Sequence, residues 1–280
     1  MKTSYIRAPN QTITGLDGTR YAYRELGEKK GIPVVFFTHL SANLDNWDPR
    51  VIDGIAEKHW VITFDNKGIG LSSGKTPNSI EQMAQDALDF IKALGLSKID
   101  VLSFSMGGMI AQELINYEPN LVRKLILSGT GPRGGEKIEN VARLSDLDTI
   151  RSVFTLKDVK TYLFFTRTAN GRKKAKEFLR RLEERKERRD KSTSWSSYRT
   201  QLKAIRHWGL ADPADLSKIT QATLVVNGDH DRMVPTPNSI ELARRLPKSK
   251  LIIYPDAGHG GIFQHYETFV NDVNKFLAQN

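Results

Sequence analysis

Short apolar runs alternate with segments of helical period along most of the chain. Runs rich in β-branched and aromatic residues predict strands at Tyr21–Leu26, Val34–Thr38, Trp60–Phe64, Ile99–Ser103, Lys124–Ser128, Thr223–Asn227 and Lys250–Tyr254. A shorter one is expected near Thr12–Thr14. Several are apolar on both faces, as strands sandwiched between helix layers must be. Between them, Ile80, Met83, Ala84, Ala87, Leu88, Ile91 and Leu94 keep one helical face. Ser79 and Gln82 are spaced for a capping box, and Gly95 stands where that helix should stop. Ala111, Leu114 and Ile115 continue a similar face after Gly107-Gly108, and a last helix is expected from about His265 to Ala278. Strand, helix, strand alternation of this kind predicts an α/β fold with a mostly parallel sheet covered on both sides.

The alternation breaks between about Pro132 and Trp208, a helical, charged stretch with no convincing strand. Core strands resume after it, so it is expected to be an insertion and not a terminal domain. The expected division is a core of residues 1–131 and 209–280 with a helical cap at 132–208.

Composition narrows this picture more than it changes it. The 280 residues are 39% hydrophobic and 26% charged, the balance of a folded chain. No apolar run approaches the roughly 20 residues that cross a bilayer. Met1 to Asn10 lacks the apolar core of a secretory signal, so a cytoplasmic protein is expected. The absence of cysteine removes disulfides, thiolate nucleophiles and cysteine zinc sites. The net charge of +10 is concentrated from Asn170 to Lys191, where eleven Lys or Arg meet five Asp or Glu. Glu183, Glu184 and Glu187 interleave there with Arg180, Arg181, Lys186, Arg188 and Arg189, as on a solvated helix face. No nucleic-acid motif accompanies the charge, and no nucleic-acid partner is expected.

The candidate chemistry lies at strand ends. The run Phe104-Ser105-Met106-Gly107-Gly108 sits between a predicted strand and a predicted helix, the context of a nucleophile elbow. A serine on so sharp a turn needs small neighbours two residues away. Gly107 supplies one and Ser103, where glycine is usual, the other. A serine hydroxyl needs a base and a group to orient that base. Asp231 follows one later strand and His259 follows another. Parallel strands gather their carboxyl ends on one edge, so Ser105, Asp231 and His259 are expected to meet.

With these residues in place, the chain resembles the α/β-hydrolase family over nearly its whole length, especially its small cap-bearing esterases, lactonases and cofactor-free perhydrolases. The resemblance includes Asp65-Asn66-Lys67-Gly68-Ile69-Gly70-Leu71-Ser72, in which Lys67 departs from the family's usual arginine. It also includes Gly228-x-x-Asp231-x-x-Val234-Pro235 and Ala257-Gly258-His259. It implies the α/β-hydrolase fold, with an eight-stranded sheet and an inserted helical cap. It implies Asp231 as the acid and Asp229 as a decoy. Oxyanion donors would be the backbone N–H groups of Met106 and of a residue in the loop after Val34–Thr38. Matching the family's His-Gly to Thr38-His39 selects Leu40, and matching His39 to the family histidine selects Ser41. Leu40 is preferred because Pro33 and Trp47 both anchor it without a gap. The role of His39 stays open between orienting this loop and an ordinary loop histidine. His230 and His265 are expected to be structural or exposed.

The implied activity is hydrolysis of carboxylic esters or lactones of small to medium, moderately apolar substrates through an acyl-enzyme, with no cofactor and no metal. Perhydrolysis or C–C cleavage on the same triad is the alternative, and a non-catalytic ligand-binding protein of the fold is another. Phe104, Met233 and Phe263 are candidates for the pocket, with Phe164, Phe165 and Trp195 closing it from the cap. The oligomeric state is left open.

Overall fold

A computed structural model describes residues 4–279. Eight strands form one sheet: β1 (Gln11–Thr14), β2 (Arg20–Leu26), β3 (Val34–Phe37), β4 (Val61–Phe64), β5 (Ile99–Phe104), β6 (Val122–Ser128), β7 (Ala222–Gly228) and β8 (Ser249–Tyr254). Their order is β1-β2-β4-β3-β5-β6-β7-β8. β1 and β2 pair antiparallel, β2 joins β4 antiparallel, and every later pairing is parallel. Each predicted strand is present, with ends displaced by a residue or two.

The central strands are buried on both faces, which their uninterrupted apolar runs require. Val35 and Phe37 of β3 pack with α2 (Ile80–Ala93) and α3 (Met106–Tyr117). Val34 and Phe36 point the other way, toward α1 (Pro49–Ala56) and the C-terminal helix. This period-two division places a helix layer on each side of the sheet.

Local signals account for several element ends. Ser79 Oγ accepts from Gln82 N–H at 3.2 Å, but the Gln82 amide turns to Asp86 at 3.3 Å and does not return to the cap. The capping box is therefore half formed. Gly95 adopts φ +71°, as expected just beyond the end of α2.

Between β6 and β7 the chain forms α4 (Val141–Thr155), α5 (Lys160–Phe164), α6 (Ala169–Leu182) and α7 (Trp195–Leu210), with no strand. After β7 come α8 (Pro237–Arg245), α9 (Gly261–Gln264) and α10 (Tyr266–Ala278), so the expected last helix is preceded by a short separate turn.

The expected solvated face through residues 180–189 is present at Arg180, Glu183, Lys186, Glu187, Arg188 and Arg189, which are exposed, but it is not one continuous helix and not all of its charges are solvated. The helix stops at Leu182, and Arg181 and Arg185 are buried. Arg181 Nη2 donates to Asp48 at 2.6 Å and to the Phe263 carbonyl at 3.0 Å. Arg185 Nη1 donates to the carbonyls of Tyr5, Ile6 and Ala8. These arginines face inward because acceptors await them in the core, which charge spacing along the sequence does not reveal.

Candidate active site

The strand order reverses around β3: the chain moves outward to β4, then returns to place β5 on β3's other side. Connections leaving β3 and β5 therefore diverge, and a crevice opens at their carboxyl ends. Ser105 stands there, between β5 and α3, with φ 57° and ψ −121°. That backbone is costly for a residue with a Cβ. The turn is tight enough that a Cβ on Gly107 would lie 2.1 Å from the Phe37 carbonyl oxygen. Ser103 is accommodated in glycine's usual place because its hydroxyl donates to the Ile126 carbonyl at 2.7 Å.

The three distant residues meet. His259 Nε2 lies 2.9 Å from Ser105 Oγ, and His259 Nδ1 lies 2.8 Å from Asp231 Oδ2. The other Asp231 oxygen accepts from the N–H groups of Met233 (2.8 Å) and Val234 (3.0 Å), which fixes the carboxylate plane. Asp229 faces away. Its oxygens accept from Asp256 and Ala257 N–H and bind His230. It organises the loop that carries His259. The inserted helices also hold that loop: Gly260 N–H donates to the Phe164 carbonyl at 2.8 Å, and Thr166, Thr168 and Asn170 donate to the Asp256 carboxylate.

The loop after β3 is fixed from the same side. Ser41 N–H donates to Gln201 Oε1 at 2.7 Å, and Thr193 Oγ1 donates to the Ser41 carbonyl. Asn43 donates to the Lys191 carbonyl, and Asp190 N–H donates to Asp45. Leu44 N–H is shared between Asp65 (2.9 Å) and Asp190 (3.1 Å). Burial, followed by the Asp190 charge beside it, holds the Asp65 carboxyl well above the usual range. Ser41 N–H is thus occupied, whereas Leu40 N–H has no acceptor among the described residues. Met106 N–H, at the first position of α3, has no acceptor a turn earlier in its helix.

His39 is buried, with Nδ1 3.0 Å from the Leu40 carbonyl. A carbonyl only accepts, so Nδ1 carries the proton. Burial above all, then the nearby Lys160 charge, pushes the His39 pKa down to about 3, so the ring is neutral at ordinary pH. His230 is exposed and His265 Nε2 meets the Pro255 carbonyl, as expected of structural residues. Lys67 bridges Asp17 and Asp86, a role a compact ammonium can fill in place of arginine.

A cavity of about 520 Å³ opens over Ser105 and His259. Leu40, Phe164 and Met233 line it, as the sequence suggests. Four other candidates do not. Phe104 and Phe263 are fully buried beneath the site, where the Phe104 ring lies tilted 4.9 Å from that of His259 and meets that of Phe263 edge-to-face at 5.0 Å. β5 points Phe104 into the layer below while the elbow lifts Ser105 out of it. Trp195 is 66% exposed and packs on Tyr198 and Arg199 at the start of α7. Phe165 packs on Phe178, away from the cavity. The wall is completed by Met109 of α3, Val141, Ser145 and Thr149 of α4, Lys160 and Leu163 of α5, and Tyr198 and Ile205 of α7. No motif marked these, because a wall residue is defined by which helix face meets the sheet edge. One end of the cavity is polar, with Asn43, Asp45, Arg189 and Asp190. Among the described residues, no group of three or more His, Asp or Glu is placed to hold a metal ion.

Comparison with known proteins agrees with this architecture. The chain superposes with TM-score 0.94 on an alpha/beta hydrolase fold protein from Chitinophaga pinensis, at 39% identity over 99% of this chain and 100% of the other. It is 27% identical over 273 residues to a 2-hydroxy-6-oxo-6-(2'-aminophenyl)hexa-2,4-dienoic acid hydrolase from Metapseudomonas resinovorans, covering 94% of this chain and 89% of that one. It is 24% identical over 273 residues to a non-heme haloperoxidase from Rhodococcus erythropolis, covering 95% and 98%. The sequence profile of the alpha/beta hydrolase fold matches residues 32–266, and on that match the chain belongs to the alpha/beta hydrolase family.

Proposed function

We propose that the chain is a serine hydrolase that cleaves carboxylic esters or lactones of small to medium size through an acyl-enzyme. The observation that carries this reading is the continuous hydrogen-bonded line from Ser105 Oγ through His259 to Asp231, at 2.9 and 2.8 Å, opening into a cavity. A volume of about 520 Å³ falls in the ordinary range for small-molecule sites.

Ser105 attacks the substrate carbonyl while His259 Nε2 takes its proton. Asp231 accepts from Nδ1–H and stabilises the imidazolium that forms. The Leu40 and Met106 N–H groups hold the developing oxyanion, and their lack of protein acceptors favours them over Ser41. His259 then gives its proton to the departing alkoxide. Water attacks the acyl-enzyme, loses a proton to His259, and Ser105 leaves with that proton restored. In a lactone the alcohol stays tethered to the acyl group throughout, and this second step releases a single hydroxy acid. Residues 132–208 act as the cap. They supply Phe164 and Leu163 above the triad and brace both the β3 loop and the His259 loop.

A panel of nitrophenyl esters and lactones, run on wild type and Ser105→Ala, tests this. Turnover that falls by about 10⁴-fold or more in Ser105→Ala is expected. Equal turnover in the two proteins overturns the assignment.

Perhydrolysis is a second reading, favoured by the Phe104-Ser105-Met106-Gly107 run and by the haloperoxidase relative. Here hydrogen peroxide replaces water in attack on the acyl-enzyme and leaves as a peracid. Peroxide-dependent, carboxylate-dependent halogenation at a rate above ester hydrolysis identifies that case.

A further inference from the structure

The helix α4 turns one side to the cavity and an apolar side to solvent. Val141, Ser145 and Thr149 face the cavity. On the far side Leu147, Ile150 and Phe154 follow at helical spacing, with Val153 beside them and Leu156 just past the helix end. These five face solvent, with exposures from 53% at Leu147 to 95% at Leu156. Together they present on the order of 600 Å² of apolar surface, at the upper limit for the largest patch on a typical monomer. Nothing in the site described above uses this face.

We propose that the outer face of α4 is the interface of a symmetric homodimer. The area suits it: with a polar rim the patch approaches the roughly 800 Å² per partner of a stable interface. Charge also argues for a protein occupant over an anionic membrane. From 140 to 160 the cations Arg143, Arg151, Lys157 and Lys160 are nearly balanced by Asp146, Asp148 and Asp158. Asp146 pairs with Arg199 and Asp148 with Arg232. The basic surplus of the chain lies instead on and after α6, which packs chiefly on α1, α5 and α9. A membrane-docking face would join the two. In an antiparallel pairing of α4 with its copy, crossing near Ile150 and Phe154, Leu147 approaches the other Leu156 and Asp146 approaches the other Lys157. A twofold axis makes both contacts twice. The dimer would clamp the outer wall of the cavity, since the same helix forms both surfaces.

Because the chain has no cysteine, single-cysteine variants report the contact directly. Sedimentation velocity of the wild type at micromolar concentrations is expected to show dimer. Phe154→Glu, which changes an exposed side chain and should keep the wild-type circular dichroism, is expected to raise the dissociation constant by at least about tenfold. Ile150→Cys is expected to form a disulfide-linked dimer on oxidation, while Leu16→Cys, exposed at a distant turn, is not. A wild type monomeric throughout that range overturns the proposal. So does a dimer unaffected by Phe154→Glu and not crosslinked at position 150, or a monomer that uses this face to bind vesicles of phosphatidylcholine and phosphatidylglycerol.

Discussion

Ser105 owes its position to two neighbours that leave it no room to relax. β3 passes so close to the start of α3 that only a hydrogen fits at Gly107. Gly107→Ala is expected to destabilise the fold by about 1–3 kcal/mol, as overpacking against backbone does. It should lower kcat more than it raises KM, because the hydroxyl moves relative to His259. Urea unfolding and steady-state kinetics on one preparation check both. Ser103→Gly, by contrast, loses one buried hydrogen bond worth about 1 kcal/mol and is expected to keep full activity. His39 makes a prediction about pH. Its pKa falls from the usual 6.5 to about 3 in the fold, so above pH 6.5 neither folded nor unfolded chain carries the proton. Between pH 6.5 and 3 the unfolded chain gains a proton that the fold refuses. Stability therefore drops on acidification, by up to about 1.4 kcal/mol per pH unit from this residue. Urea midpoints at pH 7 and pH 5 should differ less in His39→Gln than in wild type, and an unchanged difference contradicts the assignment.

At the scale of elements, the inserted helices are fastened to the core by buried polar contacts as much as by apolar packing. Arg181 of α6 reaches Asp48, whose carboxylate also caps α1 through Arg50 N–H. Removing the arginine leaves a buried carboxylate unpaired, which costs about 3–5 kcal/mol. Arg181→Met is expected to show a loss of that size in denaturant unfolding, and Asp48→Asn in the same chain to recover part of it. Additive losses in the double variant would show that the two side chains act separately. Gln201 is the corresponding fastening for the loop after β3, which is proposed to carry an oxyanion donor. Gln201→Leu frees Ser41 N–H, and kcat for ester hydrolysis is expected to fall while the folded stability changes little. A change confined to KM would place Gln201 in substrate binding instead.

Across the whole molecule, the helical insertion shares both hydrophobic layers of the sheet. Ile138, Val141, Leu202, Ile205 and Trp208 pack with α2 and α3 in one layer, and Phe164, Phe165 and Phe178 join Phe104 and Phe263 in the other. An insertion anchored in both layers should not melt by itself. Trp47 and Trp60 lie in the core, and Trp195 and Trp208 in the insertion. Single-tryptophan variants reporting from each pair are expected to unfold at one midpoint, and a separate earlier transition for Trp195 and Trp208 contradicts this shared stability.

Strands, helix periods and the three chemical residues were legible because each is written locally. A buried strand is a short apolar run, a nucleophile elbow is a serine among small residues, and loops at parallel strand ends share one edge. The identity of the cavity wall was not legible. Phe104 looks like a pocket residue by its place beside Ser105, yet the alternation of β5 turns it into the layer below. Trp195 looks like a lid and lies outside, while Tyr198, one turn on, faces the cavity. Arg181 reads as surface charge, and Arg185 carries no mark of its own, until Asp48 and the N-terminal carbonyls, more than a hundred residues away, are placed against them. The sequence by itself determined the alternating architecture and which residues carry reactive groups, since backbone periodicity and side-chain chemistry are local properties. Tertiary structure alone decided which helix faces enclose the reacting atoms and which charges are buried, since these depend on the rotation and approach of elements that no local pattern encodes.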